Sequence, residues 1–233
     1  MESSSRIAAV VLAAGLSRRM GRFKPLLPIG DKPLLARVID SLIGAGAIGP
    51  IVVVTGHAAA QVDSILKIYS VRAVHNPAYA TGGMLSSVQT GLTSLRGEAD
   101  AVFIVLGDQP MVRPDTIAAL ASAWRSAGAG HRPRVVLPIH AGKHGHPILL
   151  SADGIDEVLA LPPDHTLKNY TNRHSERTLE VEVDDPAVHD DLDTPDDYAA
   201  ALERWNESQR DISVRSASCP SELKVSPVSI DRK

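Results

Sequence analysis

The sequence LAAGLSRRMGRFK, residues 12–24, follows an apolar run, Ile7–Ala13, that predicts a buried β-strand. It places two glycines, a serine, three arginines and a lysine in one loop. Small residues let a ligand approach the backbone, and the cations offset phosphate charge. Because ligands bind beyond the carboxyl ends of strands in open α/β sheets, we predict that this loop binds a polyphosphate. Its glycine spacing fits neither Gly-x-Gly-x-x-Gly nor Gly-x4-Gly-Lys-Ser/Thr. The candidate ligands in the loop are Gly15, Ser17, Arg19 and Lys24.

Apolar runs alternate with amphipathic segments along the rest of the chain. The predicted strands are Ile7–Ala13, Ile51–Thr55, Val71–His75, Ala101–Leu106, Arg134–Ile139 and Thr178–Val183. The predicted helices are Pro33–Ile43, Ala58–Ile68, Met84–Leu95, Pro114–Ala127 and Pro195–Trp205, with a loop and short helix at 161–173. The strands are rich in Val and Ile and lack polar alternation, which is typical of parallel strands covered on both faces. This order predicts an α/β fold with a mostly parallel central sheet and helices on both faces.

Composition and charge exclude several classes of protein. The chain has 233 residues, of which 44% are hydrophobic, enough for one substantial core, and we predict one domain over residues 1–205. Residues 206–233 are rich in Ser, Pro and charge, which predicts a disordered tail. A net charge of −3 argues against nucleic acid as the main partner, and a single cysteine excludes an internal disulfide framework. Because no leader or membrane-length apolar run is present, we predict a cytoplasmic protein without a membrane partner.

A second motif, Gly-Asp-Gln-Pro at 107–110, follows the predicted strand Ala101–Leu106. A carboxylate at the end of a central strand points into the ligand crevice. A hard oxygen ligand beside a phosphate loop suits Mg²⁺, so Asp108 is a predicted magnesium ligand. The alternative is a turn in which Asp108 bonds its own backbone.

A third motif, DLDTPDD at 191–197, combines a helix start with two further carboxylates. The threonine is a predicted N-cap, followed by a proline and two aspartates that favour the positive end of a helix. That account leaves two aspartates without a role. We predict that Asp193 completes the magnesium site, and we interpret Asp191 as part of a solvated acidic loop.

Two loops offer further candidate contacts. NPAYATGGMLSS, residues 76–87, links a strand to a helix, and its glycines lie where a helix N-terminus could hold a nucleotide or admit an acceptor. We predict that Asn76 bonds a ribose or base edge and that Gly83 and Ser86 contribute to this site; the alternative is a glycine-rich connector. KHGHP, residues 143–147, is predicted to line an acceptor pocket, with Lys143 and the imidazoles of His144 and His146 facing an anionic group.

Together these motifs resemble the MobA-like NTP transferases. Residues 12–24 match the signature LAAGxSxRMGxxK at every fixed position. GDQP at 107–110, DTPDD at 193–197 and GHP at 145–147 resemble three further motifs of that family. Within the family, the chain resembles the molybdenum cofactor cytidylyltransferases, and the resemblance extends over residues 6–205.

The resemblance implies a Rossmann-like, GT-A-type domain that transfers a nucleoside monophosphate from an NTP to a phosphorylated acceptor and releases pyrophosphate. By the family pattern, the base is held by Leu12, Ala13 and Ala14, and the phosphates by Arg19 and Lys24. Asp108 and the later acidic residue would bind Mg²⁺. Ala14 stands where guanylyl-transferring relatives usually have glycine, so the resemblance favours CTP over GTP.

The mechanism that we expect is direct in-line transfer. A phosphate acceptor is anionic at neutral pH and needs no strong base, so catalysis rests on charge neutralisation and positioning by Arg19, Lys24 and Asp108. The resemblance implies molybdopterin as the acceptor and a molybdoenzyme or its chaperone as a partner. Residues 163–169 (PDHTLKN) replace a Gly-Asp-x-Gly-Ala-Arg-like segment expected in the cytidylyltransferases. Another phosphorylated acceptor, such as a sugar phosphate, and a non-catalytic cofactor carrier are therefore alternatives.

Overall fold

In a computed structural model that describes residues 5–46, 48–127 and 132–217, eight strands form one central sheet and two form a small hairpin. The strands of the sheet are β1 (Ile7–Ala13), β4 (Ile51–Thr55), β5 (Arg72–His75), β6 (Ala101–Leu106), β7 (Val135–His140), β8 (Lys143–His144), β9 (Ile148–Ser151) and β10 (Thr178–Glu182). The hairpin consists of β2 (Pro28–Ile29) and β3 (Lys32–Pro33).

Helices connect these strands in the order expected of an α/β protein. They are α1 (Leu34–Gly44), α2 (Ala59–Leu66), α3 (Gly83–Ser94), α4 (Pro114–Ser126), α5 (Ala152–Leu159), α6 (Leu167–Arg173) and α7 (Pro195–Ala217). Short 3₁₀ turns lie at Lys24–Leu26, Ser175–Arg177 and Pro186–His189. Within the described ranges, none of the helices combines the length and apolar character needed to cross a bilayer.

The sheet has the order β10-β7-β9-β6-β1-β4-β5, with β8 paired to β7. Strand β1 is parallel to both of its neighbours, β4 and β6, and the pairs β4–β5 and β7–β10 are parallel as well. The predicted mostly parallel sheet is therefore confirmed. Strand β9, which the sequence analysis does not predict, lies antiparallel between β6 and β7.

The two faces of the sheet carry separate apolar cores. Alternate residues of β1 belong to different clusters: Ile7, Ala9 and Val11 pack beneath α1 and α4, whereas Ala8 and Val10 pack beneath α3 and α5. Both faces of β1 are buried, which explains its uninterrupted apolar sequence. Because β1 and β6 are paired in register, Leu12 beside Leu106, the loops that follow them leave the sheet side by side.

A third, smaller core joins the loop after β1 to the last helix. Its buried members are Met20, Leu27, Ile29, Leu34, Leu192 and Ala201, with Trp205 packed against them. The guanidinium of Arg37 lies 4.2 Å from the centre of the Trp205 ring. Helix α7 continues past its predicted end at Trp205 to Ala217, so residues 206–217 of the predicted tail are helical. Residues 218–233 of that tail lie outside the described residues.

Candidate active site

The loop after β1 folds back so that Lys24 returns to the sheet edge. Ser17 adopts a left-handed conformation, with φ of 51°, and its hydroxyl oxygen accepts a hydrogen bond from the Lys24 N–H at 3.0 Å. Met20 anchors the loop in the third core. A left-handed non-glycine residue is uncommon and is held here by these contacts. The loop is therefore a defined structure that directs the Lys24 side chain inward.

The Lys24 ammonium lies between two carboxylates. Its Nζ donates to Asp108 Oδ2 at 2.8 Å and to Asp193 Oδ1 at 2.7 Å, and the side chain is 11% exposed. The guanidinium of Arg19 lies 2.6 Å from the other oxygen of Asp193. Burial alone would lower the pKa of Lys24, but the hydrogen bonds and charges of both aspartates raise it above its ordinary value. Lys24 is therefore a permanent cation at this site.

Asp108 and Asp193 have the chemistry of a magnesium ligand pair. Both contact one ammonium, so two hard oxygen groups converge on the same space. Mg²⁺ takes one or two carboxylates and completes its shell with water and phosphate oxygens. Among the described residues, no group of three or more His, Cys, Asp or Glu is arranged to hold a metal ion. Two carboxylates are within the number that Mg²⁺ takes from a protein, and both aspartates stay predicted ligands.

Asp191 is exposed, as its interpretation as a solvated loop residue expects, but it also lines the cavity over this site. Its Oδ1 accepts a hydrogen bond of 3.0 Å from Nε2 of Gln109, a buried side chain. Partial burial raises the pKa of Asp191, and the charges of Asp108 and Asp193 raise it further. Sequence reasoning had no signal for this contact, because the burial of Gln109, which creates its need for a polar partner, is seen only in the structure.

A cavity of about 490 Å³ opens over these groups, and we call it the first cavity. The predicted residues that line it are Leu12, Ala13, Ala14, Gly15, Ser17, Arg19, Lys24, Gly83, Asp108 and Asp193. The lining residues that the sequence did not predict are Pro25, Tyr79, Met84, Ser87, Leu106, Gly107 and Asp191. The predicted cation loop and acidic strand end thus share one cavity.

Asn76 and Ser86 do not line this cavity. Asn76 is 1% exposed, and its side-chain amide donates to Ser86 Oγ at 2.9 Å and Ser87 Oγ at 3.0 Å. Its Oδ1 accepts from the N–H of Ala78 at 2.9 Å. The predicted contact of Asn76 with a ribose or base is therefore corrected: the amide is used within the protein, where it joins the turn after β5 to α3.

A second cavity of about 780 Å³ shares Gly83 and Met84 with the first. Its apolar lining consists of Leu85, Val88, Ile104, Leu137, Ile148 and Leu167. Its polar lining includes Lys143, His144, His146, His165, Thr166 and Lys168. His146 therefore belongs to the second cavity. An apolar surface with cationic side chains suits a ring system that carries negative charge.

Burial controls the charge of His146. Desolvation lowers its pKa, and the charge of His189 lowers it further, against the opposing charge of Asp108. The imidazole is therefore neutral at pH 7. Two lysines, Lys143 and Lys168, and one carboxylate, Asp164, also line the second cavity.

We expect His146 to titrate below its ordinary pKa of 6.5 in the folded protein. The unfolded chain binds the proton more readily, so the free energy of unfolding should decrease as the pH falls below about 6.5. Histidine NMR titration measures the pKa directly. Unfolding in urea at about pH 7.5 and about pH 5.5 should show a smaller loss of stability for His146→Gln than for the wild type. Titration of His146 above 6.5 would contradict the burial argument.

Comparison with known proteins places these features in a family context. The sequence profile of the MobA-like NTP transferase domain matches residues 9–178. The molybdenum cofactor cytidylyltransferase of Escherichia coli (strain K12) is 31% identical over 208 residues, which cover 87% of this chain and 99% of that protein.

Solved structures show the same architecture. Rv0371c from Mycobacterium tuberculosis H37Rv has a TM-score of 0.72 and 29% identity, covering 86% of this chain and 100% of that chain. A complex of Rv0371c with manganese has a TM-score of 0.68 at 28% identity, covering 85% and 99%. CMP:2-keto-3-deoxy-manno-octonic acid synthetase complexed with CTP has a TM-score of 0.68 at 17% identity, covering 88% and 100%, which shows a shared fold. These likenesses confirm the predicted fold class.

Proposed function

Because the chain belongs to the MobA-like NTP transferase family, we propose that it transfers CMP from CTP to a phosphorylated small molecule and releases pyrophosphate. The observation that supports this most strongly is the meeting of Lys24, Arg19, Asp108 and Asp193 in the first cavity. The two cations contact the two carboxylates directly. Cations that offset phosphate charge and carboxylates that hold a metal ion are the groups that binding of a metal-bound triphosphate uses.

In this proposal, the end of β1 and the loop that follows it bind the base and the phosphates of the nucleotide. Leu12, Ala13 and Ala14 bind the base, and Arg19 and Lys24 bind the phosphates. Asp108 and Asp193 would hold Mg²⁺, which would supply positive charge to offset the charge of the phosphates. The manganese complex of Rv0371c supports a divalent ion in this fold.

The proposed reaction is an in-line displacement. An oxygen of the acceptor phosphate forms a bond to the α-phosphorus of CTP, and the bond between that phosphorus and the pyrophosphate oxygen breaks. The acceptor phosphate carries at least one negative charge at pH 7, so the attack requires no strong base. Lys24 and Arg19 stabilise the charge that develops on the leaving pyrophosphate.

The acceptor that we propose is the molybdenum cofactor, bound in the second cavity. The name of the Escherichia coli relative supports this substrate. The apolar lining and the cations Lys143 and Lys168 suit a flat pterin ring with anionic substituents. Since the two cavities adjoin at Gly83 and Met84, an acceptor bound in the second would carry its phosphate close to the first. A molybdoenzyme or its chaperone stays a predicted partner for the product.

The decisive experiment incubates the purified protein with labelled CTP, molybdenum cofactor and Mg²⁺, followed by mass analysis and a pyrophosphate assay. We expect a cytidylylated pterin, less product with GTP, and none without a divalent metal. Pyrophosphate release with a sugar phosphate but not with the cofactor would replace the proposed acceptor. NTP binding without pyrophosphate release from any acceptor tested would favour the carrier.

A double variant tests the second cavity as the acceptor site. We expect Lys143→Ala combined with Lys168→Ala to raise the KM for the cofactor about tenfold, a loss of about 1.4 kcal/mol of binding. The KM for CTP should stay constant, because neither lysine lines the first cavity. Lys67→Ala, which removes an exposed lysine outside both cavities, is the control. An unchanged cofactor KM in the double variant would exclude this cavity.

A further inference from the structure

One carboxylate joins the first turn of α7 to the loop that carries Asp193. Oδ2 of Asp197 accepts hydrogen bonds from the N–H of Asp193 at 3.2 Å, the N–H of Thr194 at 2.8 Å and the Thr194 hydroxyl at 2.7 Å. In return, the N–H of Asp197 donates to Thr194 Oγ1 at 3.2 Å. This reciprocal pattern is a capping box, with aspartate in the position usually held by glutamate or glutamine.

The charge of Asp197 matches this role. Hydrogen bonds from the Thr194 side chain and backbone lower the pKa of Asp197, and the N–H of Asp193 lowers it further. Its carboxylate is thus ionised at neutral pH. Negative charge in the first turn of a helix is also stabilised by the helix dipole.

A second contact fixes the same loop from the other side. Leu192, directly before Asp193, is 1% exposed and belongs to the third core, with Met20 and Leu27. The backbone of Asp193 is therefore held between a buried leucine and the Asp197 carboxylate. With the backbone held, the Asp193 side chain meets Lys24 and Arg19 through its two oxygens.

From this arrangement we infer that Asp197 is a positioning residue that holds the carboxylate of Asp193 in the first cavity. The inference rests on the proposed function, in which Asp193 binds the metal of the metal–nucleotide complex. Groups that orient a metal ligand contribute to metal affinity without contacting the metal, because they restrict the ligand to its productive geometry.

Asp196 provides a matched control. It lies in the same first turn and carries the same charge, and its side chain is exposed. Within the described part of the chain, Asp197 is the helix residue whose carboxylate accepts hydrogen bonds from Asp193 and Thr194. Asp196→Ala thus removes the helix-end charge alone, whereas Asp197→Ala removes both the charge and the contact with the loop.

The experiment compares Asp197→Ala, Asp197→Glu and Asp196→Ala in the full chain. Mn²⁺ binding in the presence of CTP is measured by electron paramagnetic resonance, and exchange of the Asp193 and Thr194 amides by NMR without ligands. We expect Asp197→Ala to weaken Mn²⁺ binding about tenfold. It should accelerate exchange of the Thr194 amide most, because the N–H of Asp193 also donates to the carbonyl oxygen of Asp191 at 3.0 Å. Asp196→Ala should change neither measurement. Asp197→Glu, which restores a capping box, should recover most of the affinity. Should Asp197→Ala fail to fold, Asp197→Asn takes its place.

The two measurements separate this inference from the proposed function. If wild type and Asp197→Ala bind Mn²⁺ equally well with CTP, Asp197 is not a positioning residue, and the proposed function stands. If the wild type binds no Mn²⁺ with any NTP, the proposed function is wrong, and so is the metal role of Asp193. Amide exchange then decides whether Asp197 holds the loop, since that measurement needs neither metal nor nucleotide.

Discussion

Replacing Lys24 by alanine should reduce NTP-dependent pyrophosphate release at least ~100-fold, the scale for losing one preorganised group that stabilises transition-state charge. The loss has two sources. The leaving phosphates lose a cation, and Asp108 and Asp193 lose the ammonium that both contact, at 2.8 and 2.7 Å. Pyrophosphate release measures the rate, and circular dichroism checks that the variant is folded.

Lys32→Ala is the matched control for this variant. Lys32 forms an ion pair of 2.7 Å with Asp40 and does not line the first cavity. The variant loses one lysine and one partly exposed ion pair, whose contribution is small, and leaves the proposed phosphate site unchanged. Turnover should therefore stay within about twofold of the wild-type value. If folded Lys24→Ala kept a rate close to that of Lys32→Ala, the proposed role of Lys24 would be excluded.

Asp108→Asn should produce a loss of similar size, at least ~100-fold in turnover. Asparagine keeps the shape of the side chain but removes the negative charge that a divalent ion requires. We therefore also expect weaker Mn²⁺ binding in the presence of CTP. The assay is pyrophosphate release across a series of metal concentrations.

The control for Asp108 lies at the opposite end of the same strand. Asp100 precedes β6, and its carboxylate bonds the backbone and side chain of Arg6, away from both cavities. Asp100→Asn should leave turnover near the wild-type value. Near-normal turnover in Asp108→Asn at low metal concentration would refute the metal role of that residue.

The central strands could be predicted from the sequence because nearly every residue along them is buried. β1, β4 and β6 have their predicted bounds, since runs of Val, Ile and Ala buried on both faces carry a strong local signal. β9 is not predicted, because its place between β6 and β7 is decided by partners that are distant in sequence. α5 after it was also missed, although the Ser151 side chain caps it by accepting from the Gly154 N–H.

The meeting of Lys24 and Asp108 was predictable because neighbouring parallel strands end at the same sheet edge. The prediction that Asn76 contacts a ribose or base is wrong because the sequence pattern does not distinguish two cases. A polar residue after a strand can face a ligand or a buried side chain of the protein. The local sequence does not reveal the contacts of Asn76 with Ser86 and Ser87. The same holds for the contact between Gln109 and Asp191.

The wall that the two cavities share at Gly83 and Met84 has a consequence for inhibitor design and engineering. In the proposed function, the nucleotide phosphates and the acceptor are bound by different stretches of chain, which adjoin at these two residues. One compound that links cytidine through a diphosphate to a flat anionic ring could span both compartments as a bisubstrate inhibitor. Equally, grafting new side chains onto residues 143–148 and 163–172 offers a route to a changed acceptor that leaves the nucleotide machinery intact.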